Sequence, residues 1–108
     1  MKKGEIWLVE LPSVDGHEQI GKRPAIIISE TETNIAIIIP LTSNIQALRF
    51  PNVIEVRPSK KNGLGMISVA LIFQIRAIDK KRVKSKIGDL GLPILEEVDN
   101  NLRKMLSL

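Results

Sequence analysis

A chain of 108 residues with 44% apolar content and a net charge of +4 has the length of one domain, ~100–150 residues being the commonest size, and is read as a single domain over 1–108. It has no cysteine and one histidine, which excludes disulfides, thiolate metal sites, cysteine nucleophiles and two-histidine acid–base pairs within one chain. No run approaches the ~18 apolar residues of a membrane span, and an acid at Glu5 stands where a signal peptide needs its apolar core, so no membrane association is expected and the cytoplasm is the expected compartment.

Residues 5–11 (EIWLVEL) are short and apolar with charged ends, and read as a strand. Residues 12–21 collect Pro, Gly, Ser and Asp into a ten-residue loop, long for a connection and therefore a candidate functional segment. Residues 24–29 (PAIIIS) and 35–41 (IAIIIPL) are isoleucine-rich and read as two strands of a buried sheet joined by a turn. Pro40 belongs at a strand end or edge, because it has no N–H for the ladder. Residues 53–56 form a further strand, and Asn62-Gly63 marks a turn. Residues 68–75 (SVALIFQI) read as one strand buried on both faces, with Gln74 its polar exception. Asp79 caps a short helical turn over 80–83, and a last strand runs over 85–90. Ile94, Leu95, Val98, Leu102, Met105 and Leu106 then recur every three or four residues, which places them on one face of a terminal helix. Pro93 suits its first position, with acids near its start and Arg103 and Lys104 near its end. Five or six short strands and one amphipathic helix imply a mainly β, barrel-like domain.

Charge is unevenly placed. Residues 49–86 hold ten Lys/Arg against Glu55 and Asp79, a balance of +8, whereas 1–48 and 87–108 each come to −2. A positive middle suits a polyanion, or is simply a solvated basic surface. With only Trp7, Phe50 and Phe73 aromatic, an extended base-stacking platform is not expected. The chain lacks GxxxxGK[ST], GxGxxG and HExxH, and His17-Glu18 has no second spaced ligand pair, so no metal or other cofactor is expected.

What remains is the polar loop from Asp15 to Lys22, running into Arg23 and Pro24. Arg23 stands where loop becomes strand, so a rigid scaffold can aim its guanidinium at a phosphate; an ion pair with Glu18 or Glu10 is the plainer alternative. Thr42-Ser43-Asn44 offers hydroxyls and an amide at a strand end, and read alone is a turn signal.

These segments also resemble the MazF/PemK toxin family. Gly4-Glu5-Ile6-Trp7 is similar to its opening. Glu18-Gln19-Ile20-Gly21-Lys22-Arg23-Pro24 resembles its EQ-x-G-x-RP signature, Pro40-Leu41-Thr42-Ser43 its second motif, and the run from Gln74 to Val83 its QIRTIDK-x-RL block. Ile87-Gly88-Asp89-Leu90 and the terminal helix complete a collinear match along the chain. The chain departs from the pattern at His17, where a small Ser is common, and at Ile67, where an Asp is frequent. The resemblance implies an SH3-like barrel of the CcdB/PemK type and a metal-independent endoribonuclease cutting single-stranded RNA by 2′-hydroxyl attack. It implies Arg23 and Thr42 as the catalytic pair, and Glu18, Gln19, Lys22, Ser43, Gln74 and Arg76 as RNA-binding residues. It further implies a homodimer and a cognate antitoxin with an acidic tail. Two alternatives are a gyrase inhibitor on the same fold, which would not be expected to carry both the EQ-x-G-x-RP loop and the Thr-Ser strand end, and a member that binds RNA without cutting it.

Overall fold

The structure, a computed structural model, describes residues 1–12 and 21–108. His17, Glu18 and Gln19 of the polar loop lie outside the described residues. The described residues form seven strands, β1 (Glu5–Leu11), β2 (Gly21–Glu30), β3 (Ile35–Thr42), β4 (Val53–Val56), β5 (Ser68–Leu71), β6 (Arg76–Asp79) and β7 (Val83–Asp89), followed by one helix, α1 (Leu92–Leu106). The sheet is antiparallel in the order β4-β5-β3-β2-β1-β7, with β6 also paired to β3.

The expected single strand over 68–75 is not what forms. β5 stops at Leu71, a 3-10 turn occupies Ile72–Gln74, and a separate β6 begins at Arg76. The reason lies across the sheet. β3 gives one edge to β6 over Ile35–Ile38 and then to β5 over Leu41–Thr42, and Pro40, which has no N–H to offer, sits at the handover. The partner chain must therefore leave the ladder and re-enter it. This split also raises the strand count to seven. Asp79 caps the 3-10 turn Lys80–Arg82 as expected, its side chain accepting from Lys81 N–H, whereas Pro40 lies inside β3 rather than at a strand end and the first turn of α1 carries no acid.

Both faces of β2 and β3 are covered. Ile26, Ile39 and Leu41 pack with Ile6, Ile72 and the helix residues Val98 and Leu102, while Ala25, Ile27 and Ile38 pack with Val9, Leu11 and Ile78. That is why these strands read as continuous apolar runs rather than alternating ones. Bulges in β1 opposite β7 and in β2 opposite β3 add the local twist that curls a sheet toward a barrel. The loop between β4 and β5 completes the curl: Asp89 N–H donates to the Lys61 carbonyl at 2.9 Å. Asn62 is the peg of that loop, buried, accepting from Ser59 and Leu64 N–H at 3.0 Å and donating to the Arg57 carbonyl at 2.8 Å. Among the described residues no helix is long and apolar enough to cross a membrane.

Candidate functional site

Strand register puts Arg23 and Thr42 on the same face of the sheet. β2 and β3 pair Ala25 with Pro40 and Ile26 with Ile39. Arg23 lies two residues before Ala25 and Thr42 two residues after Pro40, so alternation directs both toward the face that Ala25 and Pro40 share, beyond the last paired residues of the ladder. On its other side Arg23 lies opposite Val9 of β1, so its backbone is held in the middle of the sheet while its side chain is half-buried. A guanidinium rooted in a central strand is pre-positioned, and little ordering remains to be done on binding. Glu10 pairs with Lys22 in that ladder. Alternation therefore sends Glu10 to the opposite face from Arg23, and the Arg23–Glu10 ion pair loses its support.

Thr42 ends β3 and is buried, only 6% exposed. Its Oγ1 accepts the Asn44 N–H at 3.2 Å, which leaves the hydroxyl proton for another acceptor. Asn44 in turn caps the 3-10 turn Ile45–Arg49 by accepting from Gln46 N–H at 3.1 Å. The triplet Thr42-Ser43-Asn44 is thus both a turn signal and a device that orients a hydroxyl. Ser43 points to solvent, as does Lys22.

Thr42 and Gln74 line one open cleft of about 540 Å³, together with Asn44, Arg49, Phe50 and Phe73. Gln74 reaches it because the 3-10 turn that splits β5 from β6 carries it over the Pro40 handover. Arg76 is opposite Ile38 on β6, on the same face of β3 as Thr42 but four residues away, about 13 Å at ~3.3 Å per residue. Its Nη1 is buried and has no hydrogen-bond partner among the described residues. A buried guanidinium N–H without an acceptor is costly, and an anion is its natural complement. Arg23, Thr42 and Arg76 thus belong by alternation to one face of the sheet, and Thr42 shares a cleft with Gln74.

Sequence reasoning reached Asn44 only as part of a turn signal, and did not reach Arg49, Phe50 and Phe73 as cleft residues. Phe73 was hidden inside what read as a buried strand, and only the 3-10 turn exposes it. Phe50 was legible as one of three aromatics beside a proline, without an indication of which partner it would meet.

The sequence model of a family described as PemK-like, MazF-like toxin of type II toxin-antitoxin system matches residues 2–106. The chain is 37% identical to Endoribonuclease MazF of Staphylococcus epidermidis, covering 100% of this chain and 92% of that protein. Its fold matches a crystal structure of MazF from Deinococcus radiodurans with a TM-score of 0.80 and 27% identity, covering 100% of this chain and 97% of that one. It also matches a MazE–MazF crystal structure from Deinococcus radiodurans with a TM-score of 0.75 and 26% identity, over 100% of this chain and 96% of that one.

Proposed function

The chain belongs to the PemK-like, MazF-like toxins of type II toxin–antitoxin systems, and from that premise we propose that it is an endoribonuclease of single-stranded RNA whose reaction centre is Arg23 with Thr42. What supports the site is that Arg23 and Thr42 both follow, by alternation on one face, from the Ala25–Pro40 pair at the end of the β2–β3 ladder. The 2′-hydroxyl attacks the adjacent phosphorus and gives up its proton to solvent, the bond to the 5′-oxygen breaks, and that oxygen takes a proton from solvent. The products are a 2′,3′-cyclic phosphate and a 5′-hydroxyl. Arg23 holds two non-bridging oxygens at once and offsets the charge that builds on them in the pentacoordinate transition state. Thr42 donates a hydrogen bond from its hydroxyl to the same phosphate. A guanidinium of pKa above ~12 is a poor base near neutral pH, so its contribution is positioning and electrostatics. Gln74 and Arg76, with Lys22 and Ser43 at the rim and Glu18 and Gln19 of the polar loop, bind the RNA strand.

The nucleophile is a ribose hydroxyl, so no metal is required and DNA is inert. The working form is a homodimer in the cytoplasm, where its RNA is. A cognate antitoxin restrains it, and an acidic tail suits the +8 balance of residues 49–86, because a peptide of that charge and RNA compete for one field.

The test is to incubate the protein and Arg23→Ala with a long single-stranded RNA in EDTA and to map the ends. Discrete cuts with 5′-hydroxyl termini are expected, and the variant should lose on the order of 10²–10³ in rate, the usual loss for a donor to a developing oxyanion. A single 2′-deoxy nucleotide at the cut position should abolish cleavage there. RNA left intact by the folded, antitoxin-free protein would reduce the reading to binding alone.

A further inference from the structure

The cleft beside Thr42 contains more than the catalytic reading uses. Phe50 and Phe73 stand at its wall 44% and 40% exposed, with ring centroids 5.7 Å apart and planes inclined at 62°. The Arg49 guanidinium lies over the Phe50 ring at 5.2 Å. Three amide side chains, Asn44, Gln46 and Gln74, line the same space. Two of the chain's three aromatic residues, 23 positions apart in sequence, are thus brought together in solvent, where burying them in the core would stabilise the fold.

From this arrangement we infer that Phe50 and Phe73 form a stacking subsite for one unpaired base next to the cut phosphate, and so hold that base against the amides that select it. The inference rests on the ribonuclease reading and deepens it. A flat heteroaromatic with hydrogen-bonding edges matches a wall of rings interleaved with amides. Stacking supplies affinity that every base shares, and an amide discriminates among base edges. The cleft's volume of about 540 Å³ falls within the ~300–1,000 Å³ usual for small-ligand sites. Thr42 borders the cleft, which places the stacked base adjacent to the phosphate that Thr42 contacts. Arg49, held across the Phe50 ring, stands where the neighbouring phosphate passes. The sequence alone argued against an extended stacking platform, and this is a single-base site rather than a platform.

The experiment uses a short RNA made uncleavable by one 2′-deoxy nucleotide, with 2-aminopurine walked through the positions flanking the cut. The wild-type protein, Phe73→Ala, Phe50→Ala and the ring-retaining Phe73→Tyr are compared by fluorescence and affinity. At one position the wild type and Phe73→Tyr should quench the probe, and each alanine variant should lose quenching and ~5- to 100-fold in affinity, the span expected for one base–aromatic stack. Replacing that base by an abasic site should weaken the wild type by a similar factor and Phe73→Ala hardly at all. With cleavable RNA, the alanine variants should lose the base preference at that position while making the same ends. Equal weakening at every position, or a loss of self-association with base preference unchanged, would overturn the inference, the second because it assigns the rings to a subunit contact. A wild type that binds with position-specific quenching yet cuts no RNA would defeat the ribonuclease reading and leave the stacking site standing.

Discussion

Glu5 shows how one residue ties the start of the chain to its end. Its carboxylate accepts the Trp7 indole N–H at 3.0 Å and the Lys2 backbone N–H at 2.9 Å, and pairs with Lys86 at 3.0 Å. The Trp7 hydrogen bond foremost, then Lys2 and Lys86, hold its pKa at about 2, below the ordinary 4.5. A lowered folded-state pKa means that the ionised carboxylate stabilises the fold above pH 4.5, and that this contribution disappears as the pH falls from 4.5 toward 2. Glu5→Gln should therefore melt below the wild type at pH 7, and the two melting temperatures should converge near pH 2. The expected gap at pH 7 is about 1 kcal/mol, or roughly 4–8 °C for a domain of this size. It is smaller than the whole shift implies because water still reaches the carboxylate's outer side. Parallel melting curves at every pH would show that the carboxylate contributes no charge-dependent stability.

Among the elements, the β4–β5 loop and β7 depend on one another through close backbone approach. A Cβ built on Gly88 would lie 2.5 Å from the Asn62 backbone carbon and oxygen and from the Lys61 carbonyl oxygen. Those atoms are main chain and cannot swing aside, so Gly88→Ala must push the loop off the strand. The loss expected from such overpacking is ~1–3 kcal/mol, read as a melting-temperature drop of at least several degrees. An unchanged melting temperature would mean that the loop yields freely and does not close the sheet. α1 needs no such constraint. Pro93 lies in its first turn, Val98 and Leu102 are buried, and Ser107 in the left-handed region terminates it with Leu108 N–H donating to the Arg103 carbonyl at 2.8 Å.

At the scale of the whole molecule, charge and topology act together. The basic segment 49–86 runs from the 3-10 turn at the cleft through β4, β5 and β6 and onto the edge strand β7, so its field spreads over the outside of the sheet. Exposed Lys84 and Lys86 on β7 also guard that edge against pairing with another chain. If Arg23, Arg49 and Arg76 each meet one phosphate, the logarithm of RNA affinity should fall with the logarithm of salt concentration with a slope of about −2, since single strands give ~0.7 per phosphate contact. Arg49→Ala should make that slope shallower by about 0.7. A titration of an uncleavable RNA at several salt concentrations measures both, and an unchanged slope in the variant would remove Arg49 from the phosphate path.

The sequence by itself determined which segments become strands and helix wherever the signal was local. The isoleucine runs had to be buried on both faces, Asp79 had to cap the following turn, and the period of residues 94–106 allowed only a helix. Arg23 and Thr42 were likewise legible, as polar residues at the ends of apolar strands and as members of collinear motifs. Tertiary structure alone decided three further matters. The first is the break after Leu71, which falls where β3 passes from β6 to β5 around Pro40 in another strand. The second is the common face of Arg23 and Thr42, which depends on a register that no single segment carries. The third is the exposure of Phe73 against Phe50, two apolar side chains that composition assigns to the interior. All three arise between segments far apart in the chain, where the energy of a contact depends on which residues the sheet has already placed opposite one another.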